Sequence, residues 1–132
     1  LTWATDIGGF TFGRAFGRQK LMPSISPRKT IAGAAGGLVV AVALSVLYAQ
    51  FALRPLAGLS MRWWGALLFG VVVSVAAQVG DLVESMFKRQ AGVKDSSHLI
   101  PGHGGMLDRM DSLLFTLPIG YSLLGWLLIP AP

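Results

Sequence analysis

The 132-residue chain has no cysteine, so a disulfide, a thiolate metal site and a cysteine nucleophile are all excluded. Acids are scarce: six Asp and Glu stand against eleven Lys and Arg, a formal charge of +5. Charged residues of both signs make up only 13% of the chain, about half of what a soluble domain carries. Apolar residues take their place, at 53% of the chain with a mean hydropathy of +0.61. That composition excludes disorder and points to a bilayer as the solvent. The chain opens on Leu1, already in apolar sequence, and reads as the C-terminal part of a longer protein with no signal peptide in view. No internal repeat or low-complexity segment is present.

Three uncharged stretches have the length to cross a bilayer. Residues 33–53 are 21 in number, about 31 Å of helix and so one hydrocarbon thickness. Residues 63–80 and 112–129 are shorter, 18 each, and are rimmed by Trp63, Trp64 and Trp126. Pro118 falls inside the last stretch, where a kink is expected rather than a break. Residues 1–12 resemble the tail of a fourth span. The expected fold is therefore all-α: a polytopic transmembrane bundle of three full spans plus the end of a fourth, as a single catalytic region over 1–132. Arg14, Arg18, Lys20, Arg28 and Lys29 crowd the first loop without an acid among them. The positive-inside rule then makes the first and third loops cytoplasmic, with the active-site loop on that side. The many glycines, Gly33, Gly36 and Gly37 among them, are expected to serve close helix packing.

Five of the six acids lie between Asp81 and Asp111, beside a membrane end and mixed with Lys88, Arg89, Lys94 and Arg109. Asp81, Glu84, Ser85 and Lys88 are spaced to share one face of a helix continuing from the second span. An ordinary Glu84–Lys88 pair is the competing explanation for Glu84, though it leaves Asp81 with no basic partner of its own. Asp108 and Asp111 repeat the spacing three apart, with helix capping as their alternative. Carboxylates on neighbouring helices repel unless a cation lies between them, and hard divalent cations take oxygen ligands. Asp81 with Asp108 or Asp111 is thus a candidate metal bridge, and Asp6, an acid near a span, a candidate to reach the same site. Bases around metal-binding acids suit a polyphosphate substrate. The turn Pro101-Gly102-His103-Gly104-Gly105 lets backbone N–H groups approach an oxyanion, while His98 and His103 read more readily as hydrogen-bonding than as catalytic residues.

These residues resemble a known signature. Ser85-Met86-Phe87-Lys88-Arg89, then Lys94-Asp95, then Ile100-Pro101-Gly102-His103-Gly104-Gly105 through Asp108-Arg109-Met110-Asp111 is similar to that of the phosphatidate cytidylyltransferases. Gly80-Asp81-Leu82-Val83-Glu84, Asp6-Ile7-Gly8, the repeated Phe-Gly-Arg at 12–14 and 16–18, and Ser26-Pro27-Arg28-Lys29-Thr30 fit the same family. After Thr30 the family usually has an aromatic residue, Glu and Gly; this chain has Ile31-Ala32-Gly33. The resemblance implies a membrane enzyme that joins CTP to phosphatidic acid, yielding CDP-diacylglycerol and pyrophosphate, with Mg²⁺ and room for a second cation.

On that basis Asp81, Asp108, Asp111 and Lys94 are the expected catalytic residues. Asp81, Asp108, Asp111 and Glu84, with Asp6 as a further candidate, are the expected metal ligands. Ser26, Arg28, Lys29, Thr30, Ser85, Lys88, Arg89, Asp95, His103, Gly104 and Arg109 are the expected substrate contacts. The expected partners are CTP, phosphatidic acid and the bilayer of the cell inner membrane, with no nucleic acid and with a homodimer left open. The alternatives are a related CTP-dependent lipid enzyme (a polyprenol-type kinase or a CDP-archaeol-type synthase) and an inactive membrane fragment. The Asp-Gly…Ala-Arg…Gly…Asp…Asp run of CDP-alcohol phosphotransferases does not occur.

Overall fold

The structure is a computed structural model that describes residues 1–93 and 107–130, with backbone only for Arg54 and residues 107–111. Along the described chain run α1 (Thr2–Phe16), β1 (Lys20–Met22), β2 (Ser26–Thr30), α2 (Ile31–Phe51), α3 (Leu53–Ala57), β3 (Leu59–Met61), α4 (Trp63–Gln90), α5 (Leu107–Leu127) and β4 (Leu128–Pro130). Residues 33–53 largely coincide with α2. Residues 63–80 are the first part of a 28-residue α4 that carries on through Asp81, Glu84, Ser85 and Lys88. Helix α5 runs through Pro118.

Two expectations need correction. The bundle is mostly helical but not all-α, because β1 pairs with β2 and β3 with β4 in two antiparallel two-stranded ladders. The second ladder, with Leu59 opposite Pro130 and Met61 opposite Leu128, takes the last residues of the expected 112–129 span out of the helix. Among the described residues two helices, α2 and α4, are long and apolar enough to cross a bilayer, while the apolar part of α5 is the shorter Ser112–Leu127. The ladders lie between helix ends, where polar backbone groups need partners that a helix no longer supplies.

Packing is inverted relative to a soluble domain. The buried apolar residues are mostly small, among them Ala41, Ala66, Ala76 and Ala77, while Val39, Leu47, Phe51, Leu117 and Trp126 face outward. Where lipid is the outside solvent, burying large side chains gains little and close backbone approach is what joins helices. Helices α1 and α2 meet in this way. A Cβ built on Gly33 falls 2.7 Å from the Gly9 carbonyl oxygen, and one on Gly37 falls 2.6 Å from that of Thr5. These pairings run in opposite directions, so α1 and α2 are antiparallel. Helix α4 lies antiparallel to α2, with Ser45 Oγ donating to the Ala66 carbonyl at 2.8 Å and Gln78 Nε2 donating to the Ala34 carbonyl at 3.2 Å. Helix α5 returns along α4, since Gly65 approaches Leu127 and Gly80 approaches Phe115.

The up-and-down order gathers one set of helix ends. The end of α1, the β1–β2 hairpin, the start of α2, the last turns of α4 and the first turn of α5 all lie at the same end of the bundle. Thr30 joins the hairpin to α2 as its N-cap, its buried hydroxyl accepting from the Gly33 N–H at 3.1 Å. Thr30→Ala is expected to cost about 1 kcal/mol and Thr30→Ser far less, read as the order of melting temperatures in detergent.

Candidate functional site

At that end a cleft of about 570 Å³ opens between α1, the hairpin, α2 and α4. Among the described residues its polar lining is Thr5, Asp6 and Arg14 from α1, Lys20, Arg28, Lys29 and Thr30 from the hairpin, and Gln78 and Asp81 from α4. Four bases thus face two carboxylates. Gly9, Gly13, Gly17 and Gly33 form part of the wall, and a Cβ on Gly13 would come within 3.0 Å of Thr30 Oγ1. The small residues that let α1 approach α2 also bring Asp6 toward the hairpin cations.

Asp81 is held by a partner from outside its own helix. Lys29 Nζ lies 2.5 Å from Asp81 Oδ2, with side-chain exposures of 26% and 35%. Asp81 has no basic partner of its own along its helix face; β2 supplies one across the cleft. Glu84 behaves differently. It is buried, with Lys88 Nζ 3.1 Å from its Oε2, four residues along the same helix. Glu84, Ser85, Lys88 and Arg89 are not among the described residues that line the cleft.

Of the expected substrate contacts, Arg28, Lys29 and Thr30 line the cleft, while Ser26 starts β2 away from its lining. Asp6 and Asp81 both line the cleft. Asp108, Arg109 and Asp111 belong to the first turns of α5, at the cleft end of the bundle by backbone register; their side chains lie outside the described residues, as do Lys94, Asp95, His98, His103 and Gly104 altogether.

A buried polar chain supports the cleft and was not singled out from the sequence. Thr5 Oγ1 donates to Ser74 Oγ at 3.1 Å, and Gln78 Nε2 reaches the same Ser74 Oγ at 3.3 Å besides the Ala34 carbonyl. This ties α1, α2 and α4 together one turn away from Asp81. Ser74, Gln78, Asp81 and Ser85 recur at steps of four, three and four along α4. Extending the polar spacing backward from Asp81 would have found Gln78 and Ser74.

A cleft with this balance of charge suits a polyanion: bases neutralise phosphate oxygens, and the carboxylates offer hard oxygen donors to a cation that accompanies them. Comparison with known proteins agrees in kind. Residues 1–127 match the Cytidylyltransferase family. A phosphatidate cytidylyltransferase of Staphylococcus epidermidis is 47% identical over 90% of this chain and 44% of its own length. Those of Haemophilus influenzae and Bacillus subtilis are 48% and 46% identical, over 89% and 92% of this chain and 41% and 44% of theirs. The chain thus spans less than half the length of these curated relatives. A solved intramembrane enzyme for archaeal membrane lipids biosynthesis shares the fold, with a TM-score of 0.61 at 21% identity, covering 92% of this chain and 75% of that one.

Proposed function

From the premise that the chain belongs to the cytidylyltransferase family, we propose that it carries the nucleotide site of a phosphatidate cytidylyltransferase. The reaction joins CTP and phosphatidic acid into CDP-diacylglycerol and pyrophosphate. The observation that carries this reading is the cleft in which Asp6 and Asp81 stand among Arg14, Lys20, Arg28 and Lys29. Two carboxylates alone would suit a simple cation site; four bases beside them suit a triphosphate.

A phosphate oxygen of phosphatidate attacks the α-phosphorus of CTP, and the bond from that phosphorus to the bridging oxygen of the β-phosphate breaks as pyrophosphate leaves. The nucleophile is already anionic, so no strong general base is required. The barrier is the repulsion between a phosphomonoester and a triphosphate, which positioned cations offset. Arg28 and Lys29 on the hairpin would hold phosphate oxygens, with Arg14 and Lys20 lining the same cleft from α1 and β1.

The donor set fits Mg²⁺, which usually takes one or two carboxylates and fills its remaining positions with water and phosphate oxygens. Asp81 would supply a carboxylate on this side, and Asp6 lines the same cleft. Among the described residues no group of three acidic, histidine or cysteine side chains converges; Asp108 and Asp111, on the first turns of α5 at the same end of the bundle, are the further ligands proposed. When bound, the cation would neutralise phosphate oxygens and stabilise the departing pyrophosphate.

The apolar exteriors of α2 and α4 support an integral membrane protein, and the base-rich hairpin supports a cleft facing the cytoplasm. The test is turnover of radiolabelled CTP by the intact protein with phosphatidate, with and without Mg²⁺. Mg²⁺-dependent CDP-lipid with equimolar pyrophosphate is expected. Release of CDP instead would identify a lipid kinase and overturn the reading.

A further inference from the structure

Given the cation and triphosphate reading above, we infer that Lys29 is an exchangeable counter-ion of Asp81: it occupies the carboxylate until a polyphosphate draws it away, and so couples cation binding to nucleotide binding. Its ammonium stands 2.5 Å from Asp81 Oδ2, within the space that a hard cation needs in order to reach that oxygen. Both cannot hold it. The backbone next to Lys29 is anchored, since Thr30 pairs with Lys20 across the hairpin and caps α2. The exchange therefore belongs to the four-carbon side chain, a flexible stem ending in a compact charge.

The cleft's charge sets the order of events. Without substrate, a divalent cation meets a carboxylate oxygen of Asp81 already held by Lys29, with Arg14, Lys20 and Arg28 among the described residues around it. A triphosphate reverses this. Its oxygens offer Lys29 a more negative partner than Asp81, the ammonium turns toward them, and the carboxylate is released to the cation. Cation and nucleotide then promote each other's binding by the same factor, as linkage requires. A cleft arranged in this way takes up the cation and the triphosphate together and holds a bare cation poorly.

The probe is Mn²⁺ alone, titrated into the intact detergent-solubilised protein and followed by electron paramagnetic resonance of the free ion. Lys29→Gln is expected to tighten Mn²⁺ binding about tenfold. Arg28→Gln removes the same charge from the same cleft without touching Asp81 and is expected to stay within about twofold of wild type. In the double variant with Asp81→Asn the gain disappears. Lys29→Arg, which keeps a cation within reach of Asp81, retains the weak wild-type affinity and shows that the position tolerates substitution. No gain in Lys29→Gln, an equal gain in Arg28→Gln, or a gain that survives Asp81→Asn each overturns the exchange. Phosphatidate-dependent CTP turnover, measured alongside, separates the two levels. Turnover without the Lys29→Gln gain removes the exchange alone, whereas the gain without turnover removes the enzymatic reading.

Discussion

On the proposed function, Asp81→Asn is expected to lower CDP-diacylglycerol formation by about 10²- to 10³-fold, the cost of removing one electrostatic group from a transition state. The asparagine keeps the shape and one oxygen of the side chain but neither the charge that holds Lys29 nor a carboxylate for a hard cation. Because Asp81 is a third exposed and its Lys29 partner is within reach of solvent, folding should change little; an exposed pair of this kind contributes about 1 kcal/mol or less. Steady-state turnover and melting temperature, measured on the same preparation, separate the two effects. Near-normal turnover in a folded Asp81→Asn protein would remove Asp81 from the mechanism.

The second large effect is on stability. Gly37→Val drives a side chain into the α1–α2 contact, where even a Cβ would lie 2.6 Å from the Thr5 carbonyl oxygen, 3.2 Å from Thr5 Cγ2 and 3.4 Å from the Gly9 nitrogen. The nearest obstacle is backbone, which cannot rotate aside, so the helices must separate. Overpacking of this kind costs about 1–3 kcal/mol, a fall of about 3–10 °C in melting temperature. Separation also carries Asp6 away from the hairpin cations, so CTP binding weakens with it. Gly125 provides the contrast: a Cβ there meets no described atom within 4 Å, and Gly125→Ala should leave the melting temperature unchanged or raise it slightly. Equal melting of the Gly37→Val and wild-type proteins would contradict glycine-mediated packing.

Local features of the fold were legible where spacing along the chain carries them. The apolar stretch that became α2, the continuation of α4 past Gly80 and the Glu84–Lys88 pair all depend on residues within a few turns of one another. The close-packing role of Gly33 and Gly37 was legible because small residues are the means by which apolar helices approach. The two ladders were not. Lys20–Met22 and Ser26–Thr30 hold lysines, a proline and serine, a weak strand signal by composition, and their pairing arises from where α1 and α2 leave their ends.

The site divides along the same line. That Asp6 and Asp81 line one cleft follows from their positions near the same membrane end. The Lys29–Asp81 pair could not be read in that way, since the two residues are separated by the hairpin's end, all of α2 and most of α4, and only the antiparallel return of α4 brings them together. A search of Asp81's own helix face finds Lys88, which the structure gives to Glu84. Gln78 went unnoticed for a different reason. A single amide in an apolar helix resembles a tolerated exception until its bonds to Ala34 and Ser74 show that it joins two helices.

The account is tested most directly by the position of the cation. Fe²⁺ substituted for Mg²⁺ in the presence of CTP and ascorbate generates radicals that cut the backbone only near the bound ion, and mass spectrometry locates the cuts. Cuts beside Asp6 on α1 and beside Asp81 on α4, suppressed by excess Mg²⁺ and absent from Asp81→Asn, are the predicted result. Cleavage elsewhere in the chain, with both of these segments intact, would contradict it.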